Sequence, residues 1–110
     1  MGSNRLVVVG LVLDAAIASQ PAVAGPHMIS SWQDFDATQD ECVRRGSEAL
    51  RRNGFTTKFA VLGNASIYGQ RGGYTALVRC AAEKRFILYA VAGPSGTECS
   101  RHMTAIKDKF

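Results

Sequence analysis

The feature that most constrains this chain is a change in apolar period, from 3.6 residues to 2 and back to 3.6, with turn residues at each change. Thr38 and Glu41 have the spacing of a capping box. Cys42, Val43, Gly46, Ala49 and Leu50 then share one helical face before Asn53-Gly54 supplies a stop. From Lys58 to Tyr68 the pattern alternates around Phe59, Val61, Ala65 and Ile67, as in a half-buried strand. Gly69-Gln70-Arg71-Gly72-Gly73 reads as a turn, Tyr74 to Ala82 as a second strand, Glu83-Lys84 as a short polar turn, and Arg85 to Ala92 as a third strand. Gly93-Pro94 ends that strand. Ser95 and Glu98 cap a second helix with Cys99, Met103, Ile106 and Phe110 on its apolar stripe.

The expected fold is therefore α+β and two-layered: helix, three-stranded antiparallel meander, helix, with both helices on one face of the sheet. Residues 37–110 form this single small domain. Residues 25–36 show no sustained period and read as an extended or disordered entry segment, with Trp32 and Phe35 as candidate anchors onto the core.

A sheet covered on one side leaves the other side open. In the second strand Arg79 marks Thr75, Leu77, Arg79 and Ala81 as outward, and Tyr74, Ala76, Val78 and Cys80 as inward. In the first strand Phe59, Val61, Gly63, Ala65 and Ile67 point inward, and Leu62, Asn64, Ser66 and Tyr68 outward. The third strand is apolar on both sides. Placing Phe86, Leu88, Ala90 and Ala92 inside exposes Ile87, Tyr89 and Val91. The resulting outer face is larger and more apolar than a small monomer usually shows, unless the segment around Trp32 and Phe35 folds back over it. Tyr68, Leu77, Arg79 and Tyr89 are its candidate binding residues, for a protein partner or a second copy of the chain.

Composition matters once the first residues are set apart. The 110-residue chain is 46% hydrophobic, but part of that is a run from Leu6 to Leu13 that follows the single cation Arg5 and precedes Ala22-Val23-Ala24. This is the pattern of a secretory signal peptide over residues 1–24, with Ala18 as an alternative end. Eight apolar residues closed by Asp14 fall short of the ~20 needed to span a bilayer, so no stable membrane insertion is expected after cleavage. The expected product is exported, periplasmic or secreted, and keeps the full charge of +4 because Arg5 and Asp14 leave together.

Export gives the three cysteines an oxidising setting. Cys42 opens the buried face of the first helix and Cys80 points inward from the second strand, which favours a Cys42–Cys80 disulfide, with Cys80–Cys99 as the competitor. Closing a loop of about 38 residues contributes roughly 4 kcal/mol in the chain-entropy model, a large term for so small a core.

Other chemistry is sparse. The cysteine spacings match no zinc or thioredoxin pattern, and no loop alternates oxygen ligands for calcium, so neither a metal nor a cofactor is expected. Arg44, Arg45, Arg51 and Arg52 lie off the apolar stripe, with Asp40, Glu41 and Glu48 four residues before Arg44, Arg45 and Arg52. That is the pattern of a solvated, internally paired face, and together with export it argues against a nucleic-acid partner. Gly69 to Gly73 joins two strands and has no phosphate-loop lysine. Cys99, one turn into a helix and followed by His102, supplies the alternative to a non-enzymatic binding module: a thiol-dependent enzyme or redox protein. Asn64-Ala65-Ser66 is a glycosylation sequon.

Overall fold

The computed structural model of the protein describes residues 26–110; the expected leader over residues 1–24, with both of its cleavage sites, lies outside them. The chain runs β1 (His27–Asp34), α1 (Gln39–Arg52), β2 (Thr57–Leu62), β3 (Ser66–Arg71), β4 (Tyr74–Ala81), a 3-10 turn (Ala82–Lys84), β5 (Phe86–Gly93) and α2 (Gly96–Lys109). All strand pairs are antiparallel, in the order β1-β5-β4-β3-β2. The α+β class stands, but the sheet has five strands where the sequence pattern predicts three.

Both additional strands have local causes. The expected first strand is interrupted at Gly63-Asn64, where both residues take positive φ (60° and 48°) and Ala65 N–H donates to Leu62 O at 3.1 Å. Two consecutive positive-φ residues make a tight turn whose twist suits a hairpin, so Lys58–Tyr68 folds back on itself as β2 and β3. Asn64 therefore sits exposed in a turn, its Nδ2 donating to Asp40 Oδ1 at 2.8 Å. The entry segment is not disordered. His27–Asp34 pairs with β5 over its whole length and forms a sheet edge.

Helix α1 starts where Thr38 accepts a hydrogen bond from Glu41 N–H at 3.1 Å. It ends at Asn53, whose Nδ2 donates to Ala49 O at 2.8 Å and to Ala105 O at 3.2 Å, tying the end of α1 to α2. Gly54, at φ 79°, then takes the left-handed conformation that reverses the chain after a helix. Helix α2 opens with Ser95 Oγ accepting from Glu98 N–H at 3.3 Å.

The core lies between the helices and one sheet face. Ile67, Val78, Cys80, Ile87, Tyr89 and Val91 face Cys42, Leu50, Cys99, Met103 and Ile106. Gly46 lets α1 lie close to the sheet, since a Cβ there would stand 2.9 Å from Ile67 Cδ1 and 3.1 Å from Val78 Cγ1. A disulfide joins Cys42 to Cys80 across this gap, with 6.0 Å between their Cα atoms. At the open end of the helix pair, Arg45 lies 4.5 Å from the Phe110 ring centroid and 5.7 Å from that of Phe35, and its Nε donates to Phe110 O at 2.9 Å.

Arg45 is thus turned inward and does not pair with Glu41. Arg44 pairs with Glu41 (2.6 Å) and Glu48 (3.3 Å), and Glu48 also meets Arg52; of the three expected i,i+4 pairs only Glu48–Arg52 forms. Arg51 lies over the Phe59 ring at 4.4 Å. The arginines of α1 are largely engaged within the molecule.

Candidate functional site

The sheet face away from the helices is uncovered, and the strand register arranges it in rows. One row runs Trp32, Leu88, Arg79, Ser66, Leu62; the next runs Ser30, Ala90, Leu77, Tyr68, Ala60. Trp32 is 65% exposed, Leu62 57% and Met28 71%. Tyr68, Leu77 and Leu88 are half-buried, because neighbouring side chains on a pleated surface shield one another. Arg79 stands in the middle of the first row, where its Nη1 donates to Ser66 Oγ at 3.0 Å. The guanidinium is held over the sheet by that bond and remains exposed to solvent.

At the Phe86 end this face deepens. A depression of about 520 Å3 is lined by Gln39, Asn64, Arg79, Lys84, Phe86 and Leu88, among others. Beside it a second, of about 410 Å3, is lined by Trp32, Asp34, Lys84, Arg85, Phe86 and Leu88. The two share an apolar floor of Phe86 and Leu88 and the Lys84 side chain. Arg79, Lys84 and Arg85 outnumber Asp34 and Glu83 around them, so this end offers apolar contact inside a mostly cationic rim.

Of the four residues expected on this face, Tyr68, Leu77 and Arg79 are there and are brought together by the β3–β4 register. Tyr89 is not. It is 1% exposed and lies in the core with Ile87 and Val91, against the Phe110 ring at 5.9 Å. The inward and outward sets of β5 are the reverse of the expected ones, because Arg79 pairs with Leu88 and so puts Leu88 on its own side. The expected turn at Glu83-Lys84 carries the same register. Parity counted across that hairpin from Arg79 is therefore a signal in the sequence that places Leu88 outward and Tyr89 inward.

Trp32 and Met28 belong to this face although no periodicity singles them out. On β1 the inward positions are Ile29, Ser31 and Gln33, two of them polar, while Met28 and Trp32 point outward. Ser31 is tolerated there because Lys107 Nζ donates to its Oγ at 2.9 Å. The entry segment extends the open face and does not cover it.

The Cys99 alternative has different geometry from the expected one. Cys99 is fully buried, its Sγ 3.8 Å from His27 O, and desolvation pushes its thiol pKa up, away from a reactive thiolate. His102 packs edge-on against Phe55 (5.1 Å) and Tyr74 (4.9 Å). Burial, then the nearby Arg71, hold its imidazole below the usual range. Among the described residues no group of three His, Cys, Asp or Glu is placed to hold a metal ion, and no helix is long and apolar enough to cross a membrane. No protein-family model matches the chain, and no curated protein matches it either.

Proposed function

We propose that this is a small exported, non-enzymatic binding module that engages a protein partner through the open sheet face, with Trp32, Tyr68, Leu77, Arg79 and Leu88 as its contact residues. The observation that carries the reading is the exposure of Met28, Trp32 and Leu62 on a face lined by half-buried apolar side chains and left uncovered by either helix. Water contact with so much apolar surface is unfavourable at roughly 25 cal/mol per Å2, and an aromatic with an arginine beside it is a common interface anchor. The cationic rim of Arg79, Lys84 and Arg85 favours an acidic partner surface. Export is supported by the Cys42–Cys80 disulfide, which persists in an oxidising compartment.

The test is a pull-down from the exporting cell's envelope or secreted fraction with the oxidised protein and a Leu77→Asp/Arg79→Glu variant. A partner captured by the parent chain and lost by the variant, with the circular dichroism and melting temperature of the two closely similar, supports the reading. Equal capture by both, or no capture by either, overturns it.

A further inference from the structure

The two edges of the sheet differ in a way that points to a second interaction surface. On β2 the pairing with β3 shifts between Thr57 and Ala60, and Lys58 takes a positive φ of 51°. A bulge and a lysine are the usual devices by which an edge strand avoids adding another strand. β1 has neither. It pairs with β5 in unbroken register from His27 opposite Gly93 to Asp34 opposite Phe86, and it contains no lysine, no proline and no irregularity. Its outer edge is a straight ladder of eight residues, and among the described residues no strand pairs with it.

We propose that two copies of the protein associate through this edge, their β1 strands pairing antiparallel about a two-fold axis with Ser30 opposite Ser30, so that the two sheets become one. The register follows from parity. A two-fold axis perpendicular to the sheet keeps each side chain on its own face, so only pairings centred on a residue satisfy the pleat. Centring on Ser31 brings together the two Lys107 ammonium groups, each 2.9 Å from its own Ser31 Oγ. Centring on Ser30 avoids this and places Met28 of each copy opposite Trp32 of the other. The two most exposed large apolar side chains of the described chain then cover each other in a sulfur–aromatic contact. The only charged residue of the strand besides His27, Asp34, falls opposite Pro26, so no like charges meet. Registers centred farther along shorten the ladder and separate Met28 from Trp32. The contact takes Met28 and Trp32 from the edge of the partner surface proposed above and leaves Leu62, Tyr68, Leu77 and Arg79 of that face uncovered.

The experiment is sedimentation of the oxidised protein over a range of concentrations, with three variants at exposed or half-buried β1 positions and Leu77→Asp on the open face of β4. The parent chain is expected to show a concentration-dependent dimer. Ser30→Lys sets two ammonium groups face to face on the axis and is expected to weaken the dimer up to about fivefold. Ser30→Cys is expected to form an intermolecular disulfide in air, whereas Gln33→Cys, which falls opposite His27, is not. A monomer at every concentration with no Ser30→Cys cross-link overturns the proposal. So does a dimer that Ser30→Lys leaves intact, or one dissolved by Leu77→Asp but not by Ser30→Lys.

Discussion

Gln39 donates from Nε2 to the carbonyl of Cys80 at 3.0 Å, beside the disulfide that Cys80 makes with Cys42 three residues farther along the same helix. The same amide donates to Asn64 O at 2.8 Å and accepts from Ala82 N–H at 3.0 Å. The start of α1 is thus fastened to the end of β4 twice, once covalently and once by a side chain whose amide satisfies three backbone groups. The two fastenings share one piece of backbone and should not act independently.

A Cys42→Ala/Cys80→Ala variant removes a link spanning 38 residues. The chain-entropy model sets its contribution at about 4 kcal/mol, which in a domain this small corresponds to roughly 15 °C or more. Thermal denaturation followed by circular dichroism measures the drop. Gln39→Ala should cost about 1–2 kcal/mol in the oxidised protein, since it leaves carbonyls and one amide without their partner. Its cost should change when the disulfide is absent; strict additivity in the double-mutant cycle would show that the two fastenings are separate.

Cys99 is the free thiol, and it is fully buried. A maleimide added to the native oxidised protein should therefore fail to react on the timescale of minutes, and should add one label per chain after unfolding without reductant. Intact mass reads both states. Rapid labelling of the native chain would show an accessible thiol and revive the enzymatic alternative.

His102 gives stability a dependence on acid. Burial, then Arg71, depress its folded-state pKa, with Arg101 acting in the same direction and Glu98 against. The unfolded chain therefore takes up the imidazolium proton more readily. The contribution is fully present above the ordinary imidazole value of about 6.5 and is lost as the pH falls through the lower folded value. Urea midpoints measured at a series of pH values should fall through that window. His102→Phe keeps the edge contacts with Phe55 and Tyr74 and should flatten the profile there.

Tyr89 acts at the other end of the scale. Desolvation raises its phenol to about 12, and its hydroxyl is buried without a hydrogen-bond partner. With the folded pKa above the unfolded value, the stability contribution is fully present below about 10 and is lost as the pH rises toward the folded value. Tyr89→Phe removes this alkaline loss. At neutral pH it should leave stability unchanged or raise it by up to about 1 kcal/mol, because no hydrogen bond is given up. A marked fall in the melting temperature would mean that the hydroxyl has a partner after all.

How much of this was legible in the sequence varies from element to element. Both helices were readable end to end, because Thr38, Asn53-Gly54 and Ser95 act on backbone within a turn of themselves. Strands β4 and β5 were readable for the same reason. The β2–β3 hairpin was missed because alternation continued through Gly63-Asn64, although that dipeptide is itself a hairpin signal. Residues 27–34 are extended, as one of the two readings has them, but their place in the sheet leaves no alternating pattern because Met28 and Trp32 face solvent while two inward positions are polar. Of the candidate site, Tyr68, Leu77 and Arg79 could be placed from one charged residue. Strand β5 is apolar on both sides and carries no mark of its inner face within itself, so Tyr89 can be placed only by carrying the parity of Arg79 across the Glu83-Lys84 turn.

By itself the sequence determined the class of fold, the limits of the helices and the faces of β3 and β4, all of which depend on neighbours a few residues away. Only the tertiary structure decided that residues 27–34 complete the sheet and that Cys99 is sealed in the core. Those outcomes depend on pairings between residues far apart in the chain. An edge strand with polar inward positions gains its place from main-chain hydrogen bonds to β5 and from packing under α2, and neither leaves a period in the sequence.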